Sequence, residues 1–497
     1  MKKSIYKITT LALAVVLLFS SCDKLADFGS TNVNPAATNN PNTAALLTNV
    51  LSGMGGYAAI AGPALYCQYY SETQYPELSI YTANLASTNI MASYAGVLYD
   101  LENIKITNTD AATKTAAELN GANANQIAIA RILQTYIFWT ITDRWGAMPY
   151  KTALKGNSAV SYESQESIYK GMITELTEAV AQFTTGAAIK GDIAYNGNIA
   201  NWKKLANSLR MLMALRLSKV YPSASGYAAT EFKAALADAA GSIDENSENF
   251  MLTPPGGNFR NPFYNLYDGR KDYGESETMT TIMVGLTDAR QAVYGSDVDG
   301  NPSVVGVPYG RVRTFIDPWC GAHPTWTYVM AKDRRKETSP IYIVKAASVL
   351  LARAEAAERG WTSESANTKT LYEAGITASH TMWDLAAPTT AYLTSGAVAL
   401  ATPYGSATAA NLDKIALQQY IAYYPDGLQG WSNWRRTNIP ALTPAPDGMN
   451  SPKVIPRRYM YHSNDYTLNG DSVKAAVVRQ WGNEDNDLMN SKLWWDL

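Results

Sequence analysis

The sequence predicts a mainly α-helical protein with few strands. Its clearest pattern lies in 198–221, where apolar residues recur at steps of three and four, the spacing of one side of an α-helix. Similar segments follow one another with short connections, which suggests paired helices stacked side by side. Of the 497 residues, 46% are hydrophobic and 17% are charged. This composition is typical of a globular protein with a large core.

Helical periodicity and end signals place the predicted elements along the chain. Asn198 or Asn201 can cap the helix of 198–221, and Pro222 prevents its continuation. Gly146 and Pro149 end an earlier helix in the same way. The predicted helices are, in order, 44–70 with a break near Gly62, 87–106, 123–145, 165–183, 198–221, 231–240, 277–288, 341–359, 367–383, 411–423 and a short one in 473–479.

The N-terminus has the features of an export signal. A basic start and the apolar run 11–19 precede Ser20, Ser21 and Cys22. The run is too short to be a stable membrane span. A cysteine directly after small residues resembles the bacterial lipoprotein box, which predicts lipidation of Cys22 and a protein anchored to a membrane without crossing it. An ordinary secretory signal with an incidental cysteine is the alternative.

Composition predicts the organisation of the rest of the chain. Residues 1–21 are predicted to be a signal peptide, and 22–41, rich in Asn, Thr, Ala and Pro, a lipidated flexible tether. Residues 42–497 are predicted to form a single helical domain. The stretch of about 253–338 within it is dense in Gly, Pro, Asn and Asp. This composition predicts a loop-rich insertion in which only 277–288 is helical.

Charge and motif patterns exclude several function classes. A net charge of −2 gives no electrostatic reason to expect nucleic acid. The three histidines have no metal-ligand spacing, and the sequence contains no GxSxG elbow, GxxxxGK loop or GxGxxG turn. No catalytic residue, metal or cofactor is therefore predicted. Asp297 to Asn301 resembles the start of a calcium loop but lacks its later Gly and Glu, so a plain turn is favoured. Cys67 and Cys320 are either a disulfide or two free thiols.

Aromatic residues are concentrated where the chain is irregular. The sequence has 32 Tyr and only 9 Phe, and Tyr tolerates wet surfaces because its ring ends in a hydroxyl. One group in the loop region comprises Tyr264, Tyr267, Tyr273, Tyr309, Phe315, Trp319, Trp326 and Tyr328. A second group, where the first helix ends, comprises Tyr69, Tyr70, Tyr75 and Tyr81.

Flat aromatic faces on loops bind sugar rings by apolar stacking, while polar neighbours bond the hydroxyls. We predict Trp319 and Trp326 as stacking platforms, joined by Tyr309, Tyr267 and Tyr81. The polar neighbours predicted beside them are Asn261, Asn265, Asp268 and Arg270. The alternative is that the rings pack the loops onto the helices.

Several stretches together carry a family resemblance, and they cover nearly the whole mature chain. They are the lipoprotein start, the DRWGAMPY of 143–150, the central helix with Trp202, ANSL of 206–209 and RLS of 216–218, AEAAERGW of 354–361 with YEAGITAS of 372–379, YPDG of 424–427 with WRRT of 434–437, and the closing KLWWD of 492–496. In combination these stretches resemble the SusD-like (SusD/RagB) outer-membrane nutrient-binding lipoproteins of Bacteroidetes-type bacteria.

The resemblance implies a tetratricopeptide-like scaffold of helical pairs with ligand-binding loops and no catalysis. It also implies partnership with a TonB-dependent, SusC-like outer-membrane transporter, over which a surface lipoprotein captures nutrient. An oligosaccharide or polysaccharide is the expected ligand. A peptide-binding member of the same family and a lipid-anchored glycoside hydrolase are the alternatives.

Overall fold

A computed structural model describes residues 42–82, 89–156 and 160–497. The predicted signal peptide, Cys22 and the tether to residue 41 lie outside the described residues. Thr43–Leu497 form one compact unit. The prediction of a mainly helical protein is confirmed, and the short strands described occur only as two-stranded ribbons.

Helices account for most of the described structure. They are α1 Thr43–Ala58, α2 Ala61–Tyr66, α3 Met91–Ser93, α4 Tyr99–Thr109, α5 Lys114–Ala117, α6 Asn123–Trp145, α7 Gln165–Gln182, α8 Ile199–Arg216, α9 Tyr227–Leu236, α10 Pro262–Asn265, α11 Glu277–Leu286, α12 Gln291–Tyr294, α13 Arg313–Ala322, α14 Ala346–Glu358, α15 Thr368–Thr381, α16 Thr390–Leu393, α17 Ala409–Tyr423, α18 Gly427–Thr437 and α19 Ser463–Trp481. A π-helical turn, Tyr94–Leu98, joins α3 to α4.

The strands form three antiparallel ribbons between distant parts of the chain. They are β1 Tyr70–Glu72, β2 Phe250–Leu252, β3 Tyr273–Glu275, β4 Gly295–Ser296, β5 Tyr328–Val329 and β6 Ile341–Val344. In the β1–β3 ribbon Tyr70 faces Glu275 and Glu72 faces Tyr273. β2 pairs with β6, and β4 pairs with β5. The β1–β3 ribbon therefore ties the loop-rich insertion to the end of α2, whereas the β4–β5 ribbon joins two parts of the insertion itself.

The helices pack as neighbours in a continuous array. α4, α6, α7, α8 and α9 contact one another in that order, and α8 also contacts α14. α14 packs against α15 and α17, and α18 joins α17 to α2. α6 is buried over nearly its whole length because it has helices on several sides. This helical array forms the rigid frame that carries the loops.

The central helix forms as the apolar spacing predicts, with a shorter C-terminus. The side chain of Asn198 caps α8 by accepting a hydrogen bond from the Asn201 N–H at 3.3 Å. The helix ends at Arg216, and Leu217 begins a turn that carries the chain to Tyr221. The predicted end at Tyr221 was too late because the apolar pattern continues through that turn.

Other boundaries differ where periodicity is ambiguous. Ile341–Val344 is a strand, and helix α14 begins only at Ala346, because a short apolar run suits either structure. α13 lies in the region predicted to be loop. α18 was not predicted, and α19 is much longer than the predicted 473–479, with a kink at Asn469.

One helical segment among the described residues, Thr43–Tyr66, is long and apolar enough to cross a membrane by length and composition alone. Val50, Leu51 and Met54 within it are fully buried. α1 packs against α4 and β6. We therefore interpret it as a core helix of the fold.

Candidate functional site

Helix α13 carries two rings of the candidate site, Phe315 and Trp319. Of its side chains, only Ile316 is buried, in a small apolar cluster with Val307, Trp326 and Tyr328. The Asp447 carboxylate fixes the start of the helix, since it accepts hydrogen bonds from the Val312 N–H and from Arg311 Nε, both at 2.9 Å. The bond from the Val312 N–H and the Arg311 guanidinium hold the pKa of Asp447 below its usual range. The helix is thus attached by one apolar residue and one capped end.

Trp319 is a predicted platform that lies partly at the surface. Its half-buried ring stacks on the imidazole of His323, with the ring centroids 4.3 Å apart and the planes at 16°. His323 is exposed, and its Nδ1 lies 2.9 Å from the Trp319 carbonyl oxygen. The histidine therefore covers part of the tryptophan and fixes its orientation.

Trp326 lies beneath the surface, which the sequence did not predict. Its side chain is 4% exposed. Its ring stacks on Tyr328 at 4.1 Å, and Tyr328 stacks in turn on Tyr267 at 4.6 Å. The Arg335 guanidinium lies 4.2 Å from the centre of the Tyr267 ring. These four side chains form a column under the loops, so contact of a ligand with Trp326 or Tyr267 stays a prediction.

Tyr309 and Tyr81 come together, although 228 residues separate them. Both are buried, and their hydroxyl oxygens lie 3.4 Å apart. The Ala445 N–H donates to the Tyr81 hydroxyl at 3.0 Å. Tyr309 also lines an open cleft of about 400 Å³. The other residues of this cleft are Gln68, Glu277, Thr278, Thr281, Ile282, Pro440, Ala441, Thr443, Pro444 and Pro446.

The structure adds two exposed rings from the aromatic groups. Tyr75 is 49% exposed and Phe315 is 37% exposed. The Arg313 guanidinium lies 5.5 Å from the Tyr75 ring, and that of Arg311 lies 3.8 Å from the Phe315 ring. Phe315 and Trp319 are one helical turn apart on α13, and Tyr75 lies beside Arg313 of the same helix. We call the three residues Tyr75, Phe315 and Trp319 the aromatic band.

A buried carboxylate holds the loop that carries Tyr75. Glu72 Oε2 accepts hydrogen bonds from the N–H and the hydroxyl of Ser79, both at 2.8 Å. Burial raises the pKa of Glu72 to about 7, against the opposing effect of the Ser79 bonds. The Thr73 N–H also donates to the Asp272 carbonyl at 2.9 Å. Both ends of 73–79 are therefore anchored.

The polar residues predicted beside the rings mostly serve the protein itself. Asn261 is fully buried, caps α10 and donates to the Ser339 carbonyl, so its side chain is already engaged within the protein. Asp268 is paired with Arg260 at 2.6 Å. Arg270 is paired with Asp272. The exposed guanidinium of Arg313 is the better placed polar group, because it lies beside an open ring.

His380, His462 and Asp297 are bonded within the protein. The His380 Nδ1 lies 2.9 Å from the Ile376 carbonyl, and His462 caps α19. Asp297 caps its own turn by accepting from three following backbone N–H groups, which supports the plain turn. Within 42–82, 89–156 and 160–497, no group of three or more His, Cys, Asp or Glu side chains could hold a metal ion. Cys67 and Cys320 are free thiols.

A larger groove lies in the helical array. It has a volume of about 870 Å³ and is lined by parts of α4, α6 and α7 with the segment 150–155. Its charges are largely paired with one another, as in Lys105–Glu102 at 2.7 Å and Lys170–Glu166 at 2.6 Å. None of the predicted ring residues lines it. We therefore favour the aromatic band and the adjoining cleft as the candidate site.

An array of helical pairs that carries aromatic residues on ribbon-anchored loops is typical of a ligand-binding scaffold. Residues 35–462 match the model of a family described as SusD-like, starch-binding and associating with the outer membrane. The match covers well over half of the chain. The chain belongs to the SusD-like family.

Solved structures agree with this assignment. A chitin-binding protein is 26% identical with a TM-score of 0.73, covering 92% of this chain and 100% of its own. A SusD homolog from Bacteroides uniformis is 23% identical with a TM-score of 0.77 over the same shares. A chitin-binding SusD homolog from Flavobacterium johnsoniae is 23% identical with a TM-score of 0.76, covering 92% and 98%. No curated protein sequence matches the chain.

Proposed function

We propose that this protein is a lipid-anchored cell-surface protein that binds an oligosaccharide or polysaccharide and delivers it to a TonB-dependent, SusC-like outer-membrane transporter. It acts by binding alone and breaks no bond in the ligand. Cys22 is the proposed site of the lipid. The family description and the chitin-binding relatives support a glycan as the ligand.

The aromatic band is the observation that carries this proposal. Trp319, Phe315 and Tyr75 lie at the surface on anchored segments, two of them with a guanidinium beside the ring. Sugar rings have apolar faces that stack on such rings, and their hydroxyls accept hydrogen bonds from guanidinium groups. The column of Trp326, Tyr328 and Tyr267 supports the band from below. The Tyr309 cleft extends the site toward α11 and 440–446.

The binding test compares two tyrosines of equal exposure. Tyr75 in the band is 49% exposed, and Tyr99 on α4 is 47% exposed. Loss of one stacking ring, at about 1 kcal/mol, weakens binding roughly fivefold. We expect Tyr75→Ala and Trp319→Ala each to weaken binding of the best glycan by this factor in isothermal titration calorimetry, whereas Tyr99→Ala leaves it unchanged. Equal effects of all three variants would contradict the site.

The ligand class is tested on the purified mature protein. The panel contains chitin oligosaccharides, starch oligosaccharides and mixed peptides. Binding of a sugar without release of products supports the proposal. Binding of peptides alone identifies the peptide-binding alternative, and turnover of a sugar identifies the hydrolase alternative.

The anchor and the transporter need separate experiments. Cells fed a labelled fatty acid are expected to label the protein, and Cys22→Ala should abolish both the label and the surface location. Purification of the tagged wild-type protein from detergent-solubilised outer membranes is expected to recover a barrel transporter in near-equal amount. Recovery of the protein alone would count against the partnership.

A further inference from the structure

Glu275 lies where β1 meets three segments of the loop-rich insertion. It ends β3 opposite Tyr70 of β1. Its N–H donates to the Thr327 carbonyl at 2.8 Å, and its carbonyl accepts from the Val307 N–H at 2.9 Å. Of the segments that meet here, β1 continues to Tyr75, the segment of Val307 continues to Tyr309 in the cleft, and that of Thr327 continues to the aromatic column. Whatever loosens the junction of Glu275 therefore loosens the segments that carry the rings.

The Glu275 side chain is fully buried and incompletely bonded. Its Oε2 accepts a hydrogen bond from Gln291 Nε2 at 2.8 Å. Its Oε1 has no hydrogen-bond partner among the described residues, and neither has Oε1 of Gln291. These two oxygens belong to side chains that are hydrogen-bonded to each other. Because buried polar atoms are nearly always paired, two unpaired acceptors here indicate that a proton lies between them.

The packing leaves this carboxyl group little room to move. A Cβ atom at Gly295 would lie 2.3 Å from Glu275 Oε2 and 2.0 Å from a Thr327 methyl group. Only glycine fits there. The backbone of β4 thus lies against the carboxyl group of Glu275. The carboxyl group therefore cannot rotate away from Gln291 toward β4.

No positive charge compensates the group. Burial raises the pKa of Glu275 to about 8, and only the Gln291 hydrogen bond opposes that rise. The cations on neighbouring elements are engaged elsewhere, since Arg290 is paired with Asp288 and Arg335 lies over the Tyr267 ring. The titratable groups around it are buried tyrosines with raised pKa values, namely Tyr70, Tyr267, Tyr294, Tyr420 and Tyr424.

We propose that Glu275 is held as a neutral acid whose Oε1–H donates to Gln291 Oε1. This proton acts as a pH-sensitive latch that holds β1, β3, β4 and β5 together at their junction. When the latch opens, Oε1 gives its proton to solvent. The resulting carboxylate faces the Gln291 carbonyl oxygen, two acceptors repel each other, and water must enter or the junction must separate. The proposal does not depend on the identity of the ligand.

The direction of the pH dependence follows from the pKa. In the unfolded chain a glutamate has its ordinary pKa of 4.5, below the value of about 8 in the folded protein. The folded state therefore holds a proton that the unfolded state releases across this range. The stability that the latch contributes is fully present below about pH 4.5 and is lost as the pH rises to about 8.

Glu275→Gln tests the latch because an amide has the same shape and cannot ionise. Its NH₂ group can donate to Gln291 Oε1 while its oxygen keeps the existing bond. Asp299→Asn, an exposed acid in the neighbouring turn, is the matched control for the change in charge. We expect Glu275→Gln and the wild type to melt at similar temperatures near about pH 5. As the pH rises to about 8, the variant should become more stable than the wild type by a few degrees, whereas Asp299→Asn should follow the wild type.

Hydrogen exchange locates the effect. Amides in 295–307 and 325–329 should exchange several-fold faster in the wild type above about pH 8 than in Glu275→Gln at the same pH. A constant difference in melting temperature at every pH would overturn the proposal. Should the variant fail to fold, infrared spectra of a Glu72→Gln protein decide, because that protein lacks the other glutamate whose pKa is raised to about 7. A protonated-carboxyl band that disappears near about pH 8 supports the latch, and its absence at neutral pH overturns it.

Discussion

The guanidinium of Arg436 binds the carboxylate of Glu355 through two hydrogen bonds, of 2.5 Å at Oε1 and 2.7 Å at Oε2. Both side chains are almost completely buried. Glu355 also accepts from Gln419 and Arg359, at 2.8 Å each. Glu355 belongs to the AEAAERGW stretch and Arg436 to WRRT, so two stretches that carry the family resemblance meet in one buried ion pair that joins α14 to α18.

Removal of the Glu355 charge is expected to destabilise the protein strongly. Glu355→Gln leaves the Arg436 guanidinium buried without its counter-charge, which costs about 3–5 kcal/mol. The exposed pair of Lys369 and Glu373 on α15, 3.7 Å apart, provides the control, since Glu373→Gln should cost less than about 0.5 kcal/mol. Urea unfolding followed by circular dichroism measures both. A similar loss for the two variants would contradict this account.

Acid should weaken the fold through a second buried pair. Asp288 and Arg290 are fully buried and 2.6 Å apart. Burial favours the neutral acid, but Arg290 outweighs burial and lowers the pKa of Asp288 from 3.8 to about 2. This pair's stability is therefore present above about pH 4 and lost as the pH falls toward about 2.

Asp288→Asn should remove part of that acid sensitivity. The variant starts less stable at neutral pH, but its stability should decline less between about pH 4 and 2 than that of the wild type. The measurement is the urea midpoint at several pH values. Parallel curves for the two proteins would show that Asp288 does not titrate in this range. This slope is opposite in sign to that of Glu275, so the two effects are separable.

Local patterns predicted the helices better than the loops. The spacing of apolar residues located α6, α7 and α8, because each of them buries apolar residues along its whole length. It could not find α13, since only Ile316 of that helix is buried and the apolar stripe is missing. It could not predict that Trp326 lies inside a column of rings, because only the tertiary fold brings Tyr267 onto Tyr328, the ring on which Trp326 stacks. Composition identified the aromatic region, and only the structure separates its exposed rings from its buried ones.

The loop that carries Tyr75 offers a test of positioning. Ser79→Ala removes the hydroxyl bond to Glu72, a bond to a charged group worth about 1.5–3 kcal/mol. The lost donor should raise the pKa of Glu72 further and loosen 73–79. We expect glycan affinity to fall several-fold with faster hydrogen exchange in that loop. The effect should vanish in a Tyr75→Ala background; additive losses would mean that Ser79 acts elsewhere.

Replacement of glycine by alanine should have opposite effects on stability at two helical positions. Gly427 begins α18, and a Cβ there would lie 2.2 Å from the Ala64 backbone nitrogen, so α18 and α2 could not keep their contact. Gly53 lies in the exposed face of α1 with nothing within 4 Å of a Cβ. Gly427→Ala should therefore destabilise by several kcal/mol, since overpacking against backbone costs at least about 1–3 kcal/mol. Gly53→Ala should stabilise by about 0.5–1 kcal/mol through helix propensity. Thermal unfolding of the two variants decides, and a stable Gly427→Ala protein would show that the close approach of α18 to α2 is wrong.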